Sequence, residues 1–220
     1  MTEAFWQKLA EQGWLGILYP EEAGGSGLGL VDMTLLMEEM GRAVMPGPFL
    51  ATVLLGGAMI LEAGSPAQRQ EWLPRIAAGS AKVSLAWTEP DARWDAAGIV
   101  ATGRETAGGF VLSGAKLFVP DAHVSDALVV AVRTRDGSTM EDGVSLFLVP
   151  GASPGLAVTP LPTIDETASC ARSGSTMSPC LPKPCSARST AAGRRCRACA
   201  NGRPWHCAPR CAAAPNGCST

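Results

Sequence analysis

The sequence predicts an α+β protein: an all-helical amino-terminal domain over residues 1–80, an antiparallel, barrel-like β domain over 81–167, and a disordered tail over 168–220. Three observations lead there. Near Gly79 the spacing of apolar residues changes from the helical period of 3.6 to the strand period of 2. All 20 acidic residues lie between Glu3 and Glu166, whereas all eight cysteines lie between Cys170 and Cys218. From Ala168 onward there are eight basic residues, no acidic ones and no Val, Ile, Phe or Tyr, so that stretch lacks the material for a core. Helices followed by strands exclude an alternating parallel sheet.

The helices announce themselves in order. Phe5, Trp6, Leu9 and Ala10 form one apolar face that stops at Gly13, where a left-handed cap suits glycine. Residues 19–27 are too rich in glycine for regular structure. A second helix follows, with Met33, Leu36, Met37, Met40 and Val44 on one side and Asp32, Glu38, Glu39 and Arg42 on the other. Pro46 and Pro48 break it, and Phe49–Glu62 resumes as a helix apolar nearly all round, which requires neighbours on every side. Gly64 ends that helix. Ser65, Pro66 and Gln68 then supply an N-cap, a first-turn proline and a capping box for a helix through Ile76.

Period-2 segments bounded by Gly, Pro and Asp predict strands at Lys82–Thr88, Gly98–Thr102, Phe110–Ser113, Lys116–Val119, Ala127–Arg133, Val144–Val149 and Leu156–Leu161. The longest apolar stretch, Phe49–Leu61, is shorter than the ~20 residues of a spanning helix, so no membrane span is expected. Met1–Ala10 lacks a basic stretch followed by an apolar run, and residues 1–167 carry 10 basic against 20 acidic residues; both suit a cytoplasmic enzyme.

Four segments in order resemble the acyl-CoA dehydrogenase family: Gly16–Leu28 (GILYPEEAGGSGL), Glu38–Ala43 (EEMGRA), Ser84–Pro90 (SLAWTEP) and Phe110–Val119 (FVLSGAKLFV). The resemblance covers about residues 5–166. It implies a helical domain, a β domain and a carboxy-terminal four-helix bundle, with FAD held between the last two and a neighbouring subunit; only the first two match here. In such enzymes a glutamate removes the α-proton of an acyl-CoA thioester while the β-hydride passes to FAD. That glutamate belongs to the bundle, so no catalytic residue is assigned in this chain. The expected partners are an acyl-CoA, an electron-transfer-flavoprotein-like acceptor and other subunits in a homo- or hetero-oligomer.

Carried over by motif, Leu85, Trp87 and Thr88 run beside the flavin, the Thr88 hydroxyl bonding its polar edge, and Phe118 and Val119 pack against it. Read without the resemblance, Thr88–Pro90 is simply a strand end with a turn, and Phe118 a core aromatic on a hairpin. Two departures stand out. Arg93 and Trp94 occupy the small-residue positions of the family's Gly-Ala-Gly-Ser-Asp stretch, and Trp94 is a candidate to cover the ring or fill the substrate pocket. Pro120 replaces a threonine, removing a hydroxyl and a backbone donor. Phe49 and Thr52 fall where family members line the acyl-chain pocket, a placement that helix packing explains equally well. His123 is expected in a surface turn.

These departures support a second reading, a non-catalytic partner subunit. The tail supports a third. Cys196, Cys199, His206, Cys207 and Cys211 have zinc-ligand spacing, but four other cysteines remain unexplained and no apolar residues interleave the ligands. A nucleic-acid tail would have only Trp205 for base stacking, so no nucleic-acid partner is expected. The remaining account is a G/C-rich gene read out of frame after Thr167.

Overall fold

The computed structural model describes residues 1–106, 109–135, 143–164 and 170–176. Helix α1 spans Glu3–Glu11; the Thr2 hydroxyl accepts from the Phe5 amide at 3.3 Å, and Trp6 and Leu9 face inward. Gly13 turns the chain in the left-handed region (φ 74°), as its position at the end of an amphipathic run requires. One 3₁₀ turn, Trp14–Gly16, precedes the glycine-rich segment and another, Glu21–Ala23, lies within it; α2 follows over Leu30–Arg42, started by Asp32 accepting from the Gly29 amide at 3.0 Å.

The single helix expected over Phe49–Glu62 is wound as a π-helix over Leu50–Gly57, where the Ala58 amide reaches back to the Val53 carbonyl, and becomes α3 over Ala58–Ala63. This segment presses directly on the β domain. A Cβ on Gly56 would lie 2.5 Å from the Val83 carbonyl oxygen, and one on Gly57 1.8 Å from the Tyr19 hydroxyl. Helix α4, Pro66–Ala77, begins with the expected reciprocal cap: Ser65 Oγ accepts from the Gln68 amide at 3.3 Å and Gln68 Oε1 from the Ser65 amide at 2.9 Å. Among the described residues no helix is long and apolar enough to cross a membrane.

The strands are β1 Val83–Ala86, β2 Thr102–Thr106, β3 Gly109–Pro120, β4 Ala127–Arg133, β5 Val144–Pro150, β6 Leu156–Leu161 and β7 Cys170–Thr176. They form one sheet in the order β1-β4-β2-β3-β7-β6, with β5 paired to β4. The sheet is mixed: β1 runs parallel to β4, Val83 opposite Ala127, and β2 touches β4 in parallel at Thr102–Arg133, while the remaining pairs are antiparallel. β4 reads as an unbroken apolar run because both its faces are covered. On one face Ala127 and Val129 join Val83, Leu85 and Leu148 against Tyr19, Ile60, Trp72, Leu73 and Ile76 of the helical layer. On the other, Val132 packs with Ala101, Leu112, Phe147 and Val149.

Three strand expectations are corrected. Gly98–Thr102 is not a strand: a 3₁₀ turn occupies Ala96–Gly98 and the ladder begins only at Thr102. Phe110–Ser113 and Lys116–Val119 are one strand, because Gly114 is not a turn but a point of close approach, where a Cβ would stand 2.4 Å from that of Ala101. β7 lies beyond the boundary expected at residue 167, and it inserts between β3 and β6 with Ala171 fully buried beside Val119 and Leu128. The β domain therefore continues into the stretch expected to be disordered tail. The zinc, nucleic-acid and disorder readings of residues 177–220 fall outside the described residues.

Candidate functional site

β1 ends at Ala86, and the next three residues, Trp87, Thr88 and Glu89, run alongside the middle of β3. The Leu117 amide donates to the Thr88 carbonyl at 2.8 Å, and Lys116 Nζ donates to the Trp87 carbonyl at 3.1 Å. The ladder between β3 and β7 shifts register between Lys116 and Val119, a bulge in which Phe118 adopts φ 53°. That bulge turns the ring outward: Phe118 is 57% exposed, which rules out its reading as a core aromatic. Thr88 is 7% exposed and its hydroxyl has no hydrogen-bond partner among the described residues, while Phe118, one residue beyond the Leu117 amide that bonds the Thr88 carbonyl, turns an aromatic face to solvent.

Behind this edge lies a feature that the sequence reading missed. Glu89 and Lys116 are each 2% exposed and pair at 2.6 Å between Oε1 and Nζ. The Glu89 carboxylate also accepts from the amides of Val100 (3.0 Å) and Ala101 (3.1 Å), so all its bonding capacity is turned inward. Burial pushes the Lys116 ammonium below the ordinary lysine range, with Glu89 opposing the shift. Both residues sit inside segments quoted above, Ser84–Pro90 and Phe110–Val119, but their separation of 27 positions hides the pairing. Arg133 completes the frame, donating through Nε to the Ile99 carbonyl at 3.0 Å and through Nη2 to that of Ala96.

The other candidates divide. Leu85 is buried against the helical layer and Val119 against Ala86 and Leu128, so neither side chain reaches the edge and only their main chains are available there. Trp94 is 65% exposed in a loop where Arg93 and Asp95 pair with each other at 2.6 Å. Phe49 packs among Trp6, Leu9, Met33 and Val53 and forms part of the wall of an open apolar pocket of about 300 Å³ with Met37, Met40 and Leu50. No residue of the β-strand edge lines that pocket. Thr52 is fully buried on the π-helix with its hydroxyl unpartnered. His123 is exposed in a 3₁₀ turn, as expected.

The family profile for the acyl-CoA dehydrogenase N-terminal domain matches residues 1–80, and that for the acyl-CoA dehydrogenase middle domain matches residues 84–173. The chain belongs to the acyl-CoA dehydrogenase family. Acyl-CoA dehydrogenases are FAD-dependent oxidoreductases. The chain is 34% identical over 164 residues to acyl-CoA dehydrogenase FadE12 of Mycobacterium tuberculosis, an alignment covering 73% of this chain and 42% of that protein. Among solved structures it resembles the ChsE4–ChsE5 complex from Mycobacterium tuberculosis (TM-score 0.71, 27% identity, 82% of this chain and 46% of that one). It also resembles an acyl-CoA dehydrogenase from Geobacillus kaustophilus (TM-score 0.71, 26% identity, 81% and 49%). The chain therefore spans less than half the length of these relatives. The middle-domain match runs through Ala171, in agreement with β7 being part of the acyl-CoA dehydrogenase sheet.

Proposed function

We propose that this chain supplies the helical and β portions of an FAD-dependent enzyme that dehydrogenates acyl-CoA thioesters, with Trp87, Thr88 and Phe118 facing the flavin. The observation that carries the reading is the edge itself: a buried, unpartnered Thr88 hydroxyl and an outward Phe118 ring, on two segments tied together by the Leu117 amide and the Lys116 ammonium. These groups fit a flavin, whose ring system needs polar partners at its pyrimidine end and an apolar surface along its face. FAD, when bound, accepts the hydride from the substrate's β-carbon. The chain's own contribution is to orient that ring and shield it from water.

The α-proton needs a separate base, and Glu89 cannot serve because its oxygens are committed to Lys116 and two backbone amides. The family resemblance places the base, a glutamate, in the carboxy-terminal bundle, so the reading assigns FAD and acyl-CoA binding to this chain and the base to that bundle. An electron-transfer-flavoprotein-like acceptor and association with further subunits follow from the same reading. Arg93, Trp94 and Pro120 favour a second reading, a partner subunit without chemistry of its own. FAD titration separates the two. The first reading expects quenching of flavin fluorescence that weakens by about 1 kcal/mol in Thr88→Val, which keeps volume and loses the hydroxyl. A folded chain that leaves FAD fluorescence unchanged supports the second.

A further inference from the structure

We propose that Glu89 and Lys116 are positioning residues that pre-shape the flavin-facing edge, clamping the Trp87–Thr88 strand end to the Leu117–Phe118 bulge; the proposal rests on the flavin reading above. Buried ion pairs are weak evidence of stabilisation, since well-packed apolar pairs of similar volume often do as well or better. What an apolar pair cannot do is hold a backbone carbonyl. Lys116 Nζ divides its bonds between Glu89 Oε1 at 2.6 Å and the Trp87 carbonyl at 3.1 Å. A trans peptide is planar, with its C=O and N–H opposed, so drawing the Trp87 carbonyl toward the ammonium turns the Thr88 amide the other way.

The next link in the chain is then set as well, because the Thr88 carbonyl must meet the Leu117 amide at 2.8 Å. Glu89 extends the clamp to a third segment. Its carboxylate holds the amides of Val100 and Ala101, and its carbonyl accepts from Ala92 at 2.8 Å. The loop carrying Trp94 is thereby fixed at both ends by the same residue. One buried pair thus sets the main chain at Trp87, Thr88 and Phe118 and the span of the Trp94 loop, all without touching the ligand.

The test compares the wild-type 220-residue chain with Lys116→Met, with the double variant Glu89→Gln/Lys116→Met and with Lys116→Gln, reading thermal melting, FAD fluorescence quenching and exchange of the Leu117 amide. The double variant leaves no unpaired charge and keeps one side-chain oxygen, at the position that now accepts from both Val100 and Ala101. It is expected to melt close to the wild type yet bind FAD at least about tenfold more weakly, with faster Leu117 exchange. Lys116→Gln retains an N–H for the Trp87 carbonyl and is expected to recover most of the lost affinity. A double variant that binds FAD within about twofold of wild type overturns the proposal, and so does Lys116→Gln binding no better than Lys116→Met. If the wild-type chain binds no FAD, the flavin reading fails and Leu117 exchange alone decides the clamp: acceleration in Lys116→Met supports it, and an unchanged rate overturns it.

Discussion

Two glycine-to-alanine substitutions in helices should move stability in opposite directions. Gly56 sits on the π-helix against β1, and an added Cβ would stand 2.5 Å from the Val83 carbonyl oxygen and 2.9 Å from Val83 Cγ1. The first of these is backbone in a strand paired to β4, so it cannot swing aside. Overpacking against backbone that cannot move costs about 2–3 kcal/mol, the upper part of the usual range, against which alanine returns about 1 kcal/mol of helix propensity. The net expectation is a loss of about 1–2 kcal/mol, or a melting temperature roughly 2–8 °C lower for a domain of this size. Gly41 is exposed in α2 with nothing within 4 Å of its added Cβ, so Gly41→Ala should show only the propensity gain, about 0.5–1 kcal/mol. Far-ultraviolet circular dichroism melts of both variants measure the difference. Gly56→Ala melting at or above the wild type would refute the contact between π-helix and strand.

Thr52→Val removes a buried hydroxyl that no group satisfies while keeping its shape, so stability should hold or rise by up to about 1 kcal/mol in a denaturant titration; a loss would mean that the hydroxyl has a partner. Glu3 is held below the ordinary glutamate value by its hydrogen bond from Lys82 and then that from Gln7. A lowered carboxylate contributes stability above its unfolded value and loses it as pH falls through the folded one, so Glu3→Gln should cost a few tenths of a kcal/mol at most at neutral pH and nothing in acid below the folded value. Thermal melts at the two pH values check the sign. With FAD, an artificial acceptor and acyl-CoA thioesters of several lengths, the chain should give no dye reduction, lacking the ~10²–10⁴-fold contribution of a positioned base. Turnover that survives Glu89→Gln would place the base elsewhere in this chain.

What could be read from the sequence was whatever depends on near neighbours. Ser65, Pro66 and Gln68 lie within one turn of each other, and Gly13 closes a helix whose face is visible over six residues; both behave as expected. The segment at Ile99–Ala101 shows the limit. Its alternation is genuine, with Ile99 and Ala101 buried and Val100 exposed, but the side chains of Glu89 and Arg133 hold its backbone up to the single β4 amide that meets the Ala101 carbonyl, and side-chain burial alone does not distinguish this from a strand. β7 carries no β-branched apolar residue and gave no signal; it forms because β3 and β6 flank it and supply the missing hydrogen bonds. The candidate site was legible as motifs but not as geometry. Nothing local shows that a glutamate in one motif and a lysine in another neutralise each other, or that a bulge turns Phe118 out of the core while leaving Val119 within it.

The place of β7 has a bearing on how the domain comes to be assembled. β6 precedes it in the chain, yet among the described strands β6 has no sheet partner except β7. During synthesis Leu156–Leu161 must therefore wait, its hydrogen-bonding edge unmet, until residues 170–176 emerge and lie down on β3. A break in the chain anywhere between 162 and 169 would cost the sheet two strands at once, and would uncover Val119 and Leu128 where Ala171, Leu156 and Val158 now close over them.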